Sequence, residues 1–317
     1  MIKTTARLNA LIKVSSLLAL LIFILSAALC PTSSTARQQD SYQAFALVSR
    51  HIKPYMDALD GLHSALADSR KVELKTRILD SQDIENPAGI KRELSSAGPD
   101  MLVSIGPEAS RLGENLSREL GIPMVYTMVL NPDVIFEDNK SPCCGISLHI
   151  PVFNQLMDMR NALPGIKKVG LLFDPESNSS FFARAGILGQ MTGLEIIPLE
   201  VSSSRQVPEV LEDHWEHIDA LWMVPDRTVS SEALIEHIIK EALYHGKPVV
   251  GYNRFFYDSG AVLAFVLDYE QIGEQTAELA LSRLHGRPGR QPVPAYQVLI
   301  NRRTASSLGL KTKEDSP

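Results

Sequence analysis

Pro99-Asp100-Met101-Leu102-Val103-Ser104-Ile105-Gly106-Pro107 passes through an amphipathic stretch into Gly121-Ile122-Pro123-Met124-Val125-Tyr126-Thr127. The same layout returns later. Ile218-Asp219-Ala220-Leu221-Trp222-Met223-Val224-Pro225-Asp226 passes through a second amphipathic stretch into Gly246-Lys247-Pro248-Val249-Val250-Gly251-Tyr252-Asn253. Each copy is an apolar run of strand length, a Pro-containing turn, a helical segment, Gly-x-Pro and a second apolar run, which is the order of a βαβ unit. Two such units predict an α/β chain with two similar lobes. Parallel sheets bind ligands beyond the carboxyl ends of their strands, so two lobes predict a cleft between those ends.

Upstream of the first unit, 44–48 reads as a strand and 54–66 as a helix with Met56, Leu59, Leu62 and Leu66 on one face. A strand over 72–79 follows, then one helical segment over 83–96 with Pro87 in its first turn, ended by Gly98-Pro99. With strands at 101–105 and 123–129 around a helix at 108–120, the first lobe is expected to hold four parallel strands. The turn chemistry of 130–150 places the first passage between lobes near Gly145. The register then restarts with a helix at 152–162, a strand at 168–173, a helix from about 179 to 192 and a strand at 194–199. A segment through Trp215 is left unassigned. A strand at 219–224 precedes a helix with Leu234, Ile235, Ile238, Ile239, Ala242 and Leu243 at helical spacing. Strands at 248–252 and 261–266, a helix at 269–285 and a strand at 296–300 complete the pattern. Alternation of this kind means parallel sheets covered on both faces. Residues 311–317 read as a solvated tail.

The 317 residues are 44% hydrophobic and 21% charged, with a formal net charge of −6. That balance gives no electrostatic footprint for nucleic acid. Lys3, Arg7 and Lys13 precede an apolar stretch at 17–29 that is short for a bilayer span, the pattern of an export signal with Ser34-x-Ala36 as cleavage site. Soluble export to the periplasm is the reading of this leader. A lipid anchor at Cys30 is an alternative, although Leu29 stands where Gly, Ala or Ser is usual and Pro31 follows; a retained N-terminal anchor is another. Cys143 and Cys144 read as two buried thiols, with a strained vicinal bridge as the alternative in an oxidising compartment. Asp213-His214-Trp215-Glu216-His217 has metal-like His spacing but lies away from the strand ends, and reads as surface.

Several segments resemble the exported substrate-binding proteins of ABC transporters that include tryptophan-binding lipoproteins. Pro164-Gly165-Ile166-Lys167-Lys168-Val169-Gly170-Leu171-Leu172-Phe173 is similar to that family's "LPGxKKVGVLY", and Val224-Pro225-Asp226-Arg227-Thr228-Val229 to its "PxDNTV" turn. Asp268-Tyr269-Glu270-Gln271-Ile272-Gly273 with Ala277 resembles "DYxxLGxxAA". Ile300-Asn301-Arg302-Arg303-Thr304-Ala305 with Leu308-Gly309-Leu310 resembles "INxxTAxxLGL", and Ile122-Pro123-Met124-Val125-Tyr126-Thr127 resembles "IPVVFT". The resemblance covers roughly residues 42–310. It implies a type I periplasmic-binding-protein fold: two Rossmann-like lobes with parallel sheets joined by a three-strand hinge. The division implied is a leader over 1–36, lobe I over 37–146 with about 267–290, and lobe II over 147–266 with about 291–310. The chain departs from the family at Gly106-Pro107-Glu108, at Arg227 and at Tyr252-Asn253-Arg254.

Turns at the carboxyl ends of parallel strands expose helix N-terminal N–H groups suited to an anionic group. The candidate ligand contacts are Ser49 with Arg50; Gly106, Pro107, Glu108 and Ala109; Tyr126, Thr127 and Met128; Ser177 and Asn178; Asp226, Arg227 and Thr228; and Tyr252 and Asn253. Ser, Asp, Asn and Thr in such turns also serve simply as helix caps. The family pattern implies that Asp226 binds an ammonium, and Arg227 suits a carboxylate held bidentately. Tyr126 and Tyr252 are candidates to stack on a planar ligand, against packing in the core. No nucleophile elbow, zinc-protease or phosphate-loop motif stands in the chain, and no metal or cofactor is expected. The expected function is capture of a small polar ligand, an amino acid or similar, by a monomer that presents it to an inner-membrane permease. A ligand-sensing subunit on a membrane receptor or kinase and an exported enzyme are the alternatives.

Overall fold

The computed structural model describes residues 41–69, 72–136, 144–287 and 291–312. The leader with Cys30, the residue Cys143 and the last five residues of the tail lie outside the described residues.

The first sheet contains β1 (Tyr42–Val48), β2 (Val72–Ile78), β3 (Met101–Ile105), β4 (Met124–Val129) and β5 (Cys144–Ser147). Its order is β2-β1-β3-β4-β5 and every pair is parallel. The connecting helices are α1 (Lys53–Ser69), α2 (Ser81–Glu85), α3 (Ala88–Ala97), α4 (Pro107–Leu120) and α5 (Pro132–Ile135). The second sheet contains β6 (Lys168–Phe173), β7 (Glu195–Glu200), β8 (Ala220–Met223), β9 (Val249–Gly251), β10 (Leu263–Leu267) and β11 (Tyr296–Ile300), in the order β11-β10-β9-β8-β6-β7. Its helices are α6 (Val152–Ala162), α7 (Pro175–Thr192), α8 (Val207–Glu212), α9 (Glu232–Tyr244) and α10 (Arg254–Asp258); α11 (Tyr269–Leu284) and α12 (Arg302–Ser307) follow β10 and β11.

The inner strands of both sheets are buried on two faces, which is why they read as unbroken apolar runs, whereas the edge strands β2 and β7 are partly exposed. Along β1, Ala44, Ala46 and Val48 face Leu62 and Leu66 of α1 and Ile272 of α11, while Phe45 and Leu47 face Ile90 and Leu94 of α3 and Leu116 of α4. In the second lobe, Val169, Leu171 and Phe173 pack with Leu156 and Met159 of α6, and Leu172 packs on the opposite layer with Leu211 of α8 and Ile238 of α9.

Three passages connect the lobes, all at the carboxyl edges of the sheets. The first leaves the end of β5 for the start of α6. The second leaves the end of β10 for the start of α11, which packs on α1 close to where α1 leaves β1. The third enters β11, whose first residue Tyr296 pairs with the last residue of β10, Leu267. Since every passage joins one carboxyl edge to the other, those edges face each other.

The contact of α11 with α1 is made backbone to backbone. A Cβ at Gly61 would stand 2.0 Å from the carbonyl oxygen of Glu270, and one at Gly273 would stand 2.0 Å from that of Ala58. Only glycine leaves room for such an approach.

Five expectations are corrected by the structure. The segment at 83–96 is two helices. Asp80 and Asp83 form a reciprocal capping box on α2, Arg77 binds Asp83 bidentately through Nε and Nη2 at 3.0–3.1 Å, and Pro87 starts α3. The first sheet has a fifth strand, β5, so Gly145 lies inside the sheet and the passage begins after Ser147. The unassigned segment before Ile218 contains α8 and two short 3-10 turns, and Trp215 within it is 2% exposed and stacks on His245 at 5.1 Å. The surface reading of that segment fails at Trp215. Finally, β11 is antiparallel, because its chain returns from the other lobe. Thr312, placed in the tail by the sequence, is buried.

Gly273→Ala is expected to lower stability by about 1–3 kcal/mol through overpacking. Gly89→Ala, at a helical site with nothing within 4 Å of the added carbon, is expected to raise it by about 0.5–1 kcal/mol. Denaturant unfolding of both variants checks the contrast, and equal effects would contradict the backbone contact.

Candidate functional site

On the first lobe the site is built at the ends of β1 and β3. Gly106 occupies the N-cap of α4 with φ 93°, and Pro107 takes the first helical position. A side chain at Gly106 would meet Ser49 Oγ at 2.6 Å and Tyr55 at 2.8 Å. The helix start therefore has no cap of its own, and Ser49 supplies one from the neighbouring strand end. Its Oγ accepts the Ala109 N–H at 2.9 Å, and its hydroxyl donates to the Glu108 carboxylate. That carboxylate also accepts its own backbone N–H and the Arg50 guanidinium. Burial pushes the Glu108 carboxyl upward. The backbone N–H, Arg50 and Ser49 outweigh it and hold the group below the usual carboxylate range. Tyr55 stands beside this cluster, its phenol pushed up by burial and by the charge of Glu108.

On the second lobe the corresponding turns follow β6 and β8. Asp226 Oδ2 accepts the Asp174 N–H at 2.7 Å and Asn178 Nδ2 at 2.8 Å; its Oδ1 accepts the Thr228 N–H at 2.8 Å and the Thr228 hydroxyl at 2.6 Å. A carboxylate has roughly four acceptor positions, and these donors use them all. Burial again pushes Asp226 upward, and the hydrogen bonds from Thr228, Asp174 and Asn178 outweigh it, so its pKa lies below the usual range. Asp174 is fully buried and caps α7 by accepting the Glu176 N–H at 3.0 Å. Arg227 binds Asp174 and Glu176, yet its side chain stays 58% exposed. Arg227 and Thr228 also border an open groove of about 570 Å³ whose other wall holds Ser203, Arg205 and Ser231. Asn253 caps α10 by accepting the Phe256 N–H at 3.3 Å. Tyr252 packs on Phe256 at 4.6 Å, and its phenol is pushed up by burial and by Asp226.

The structure thus gathers Ser49, Gly106, Pro107, Glu108 and Ala109 on one rim. It gathers Asn178, Asp226, Arg227, Thr228, Tyr252 and Asn253 on the other. Of these, Ser49, Gly106, Ala109 and Thr228 are buried, as are Tyr126 and Thr127 in β4. Tyr126 packs on Phe136 at 4.7 Å and receives a hydrogen bond from Gln291. Thr127 is 0% exposed and its hydroxyl has no hydrogen-bond partner. Met128 beside it has φ 60° at a register shift between β4 and β5, a strained backbone next to the strand ends. Asp174, Glu176 and Tyr55 were missed by sequence reasoning. Asp174-Pro175 directly after a strand is a helix-start signal that would have located the first two.

Because Glu108 and Asp226 titrate lower when folded than when unfolded, their contribution is present above about pH 4 and is lost as pH falls through the folded values. The ligand-free melting temperature is expected to drop on acidification below about pH 4. Asp226→Asn, which sets an amide among four donors, is expected to melt lower at neutral pH and to lose less on acidification. Thermal melts across that window check both, and a variant as acid-sensitive as the parent would contradict the assignment.

Comparison with known proteins supplies the family. A curated tyrosine-binding protein of Clostridioides difficile is 21% identical over 270 residues, covering 82% of this chain and 76% of that protein. The fold matches the ligand-free, open structure of a substrate-binding protein with adhesive properties from Clostridium difficile, with a TM-score of 0.70 at 18% identity, covering 85% of this chain and 95% of the other. It also matches an ABC domain from Streptococcus pneumonia in complex with L-Trp, with a TM-score of 0.53 at 19% identity, covering 86% and 95%. The model of the ABC transporter substrate binding protein family matches residues 52–316, and the chain belongs to that family.

Proposed function

We propose that this chain is an exported binding protein that captures a small polar solute, an amino acid or a related compound, between its lobes and delivers it to an inner-membrane ABC permease. The moving bodies would be the first lobe, through Ser147 together with α11, and the second lobe, from α6 through β10 together with β11 and α12. One observation carries the reading. The two facing carboxyl edges each hold a polar rim whose ion pairs, Arg50–Glu108 and Arg227–Asp174–Glu176, stay within their own lobe. Rims that satisfy themselves leave the lobes free to part, and a solute touching both adds the contacts that favour closure. The tyrosine-binding relative and the L-Trp complex support an amino-acid-like solute. Family membership supports the permease as partner. The roles assigned are rim contact for Glu108, Arg227 and Tyr252, and positioning of the lobe II turn for Asp226.

A ligand that binds only the folded form at a hundred times its Kd adds about 2.7 kcal/mol of stability. A thermal-shift screen of the mature protein against amino acids and related metabolites is expected to find such a compound. Asp226→Ala and Tyr252→Ala are each expected to weaken its binding at least about tenfold. Full affinity in both variants would contradict the site.

A further inference from the structure

Four of the helix starts around the cleft are occupied from within, while α5 and α6 have no side-chain cap. Ser49 and Glu108 take the first-turn N–H groups of α4. Asp174 takes that of α7, Asp226 that of the turn after β8, and Asn253 that of α10. A ligand carboxylate arriving at α4 would have to displace a tethered carboxylate that already holds Arg50, Ser49 and a backbone N–H. The tether keeps that competitor at high effective concentration. Lying beside it instead would set like charges together, a strong element of rejection. Glu108, Asp174, Glu176 and Asp226 stand on the two rims, with Arg50 paired to Glu108 and Arg227 to Asp174 and Glu176. Asp226 has its acceptor positions filled. Glu108 is paired with Arg50, and its side chain is 26% exposed.

We propose that Glu108 determines specificity: it occupies the anion position at the start of α4 and turns the first lobe toward a ligand that presents an ammonium group there and no carboxylate. The solute class is a small organic amine. This rests on the reading above that the interlobe cleft is the ligand site. Tyr55 beside Glu108 and Tyr252 on the opposite rim add an aromatic edge from each lobe, suited to an amine on a planar body. Departure from the family pattern at Gly106-Pro107-Glu108 thereby gains a chemical meaning, since the acid sits one residue into the helix.

The test is a calorimetric panel of the proteinogenic amino acids beside the amines formed by their decarboxylation, tyramine and tryptamine included. The wild-type protein is expected to bind its best amine at least about tenfold more tightly than the parent amino acid. Glu108→Gln, which keeps the side-chain shape, is expected to shrink that preference at least about tenfold. Arg50→Gln, on an exposed side chain, approaches from the other side: it removes the counter-charge and is expected to raise amine affinity. A wild-type preference for amino acids, or a Glu108→Gln variant that changes both classes equally, overturns the assignment while leaving the solute-binding reading intact. Silence of the whole panel with all three proteins would instead remove the amino-acid-like solute reading, and this inference with it.

Discussion

The backbone contact between α1 and α11 is the constraint on which the two-lobe arrangement depends. The segment carrying α11 is entered from β10 and left toward β11, both strands of the second sheet. Nothing in chain order commits it to the first lobe. What holds it there is the seat that Gly61 and Gly273 open for each other's helix, flanked by buried Leu62 and Ile272. Because α11 is docked on the first lobe, two of the three passages exist at all. The glycine in Asp268-Tyr269-Glu270-Gln271-Ile272-Gly273 is therefore explained by helix packing, and the resemblance there reports architecture.

Around the cleft the protein meets its backbone requirements with side chains borrowed from the adjacent turn. Ser49 caps a helix that begins nearly sixty residues later, and Asp226 ties the start of α7 to the turn after β8. Each arrangement crosses between strand ends of one sheet, so each rim is held as a unit. The same economy changes what the turns offer to solvent. Helix starts that looked like anion sites in the sequence present carboxylates and hydroxyls.

Much of this fold was legible in the sequence because burial on both faces leaves a continuous apolar signal, as in Met101–Ile105 and Lys168–Phe173. The repeated strand-turn-helix layout located the strand ends, and with them most of the rim residues. What escaped had weak local signals. β5 is four residues long and follows turn-forming residues, and α10 is a five-residue helix. Pro198 within β7 lies on an edge strand, where a missing N–H costs least. The burial of Tyr126 depends on strand alternation that sends it toward Phe136 and the layer of α4, which a turn-based reading cannot see. The filling of the start of α4 needs Ser49, distant in sequence, so no local motif announces it, whereas the caps of α7 and α10 are local, Asp174 to Glu176 and Asn253 to Phe256.

The hydrogen bond from the Asp268 N–H to the Ala295 carbonyl, 3.0 Å long, joins two passages that run in opposite directions between the lobes. The Asp268 carboxylate adds a second tie by accepting Gln297 Nε2 at 3.1 Å. Laced in this way, the pair behaves as a short two-stranded ribbon, which bends readily across its width and resists twist and shear. Two of the three passages between the lobes are thereby tied to each other, while the third, after β5, runs separately.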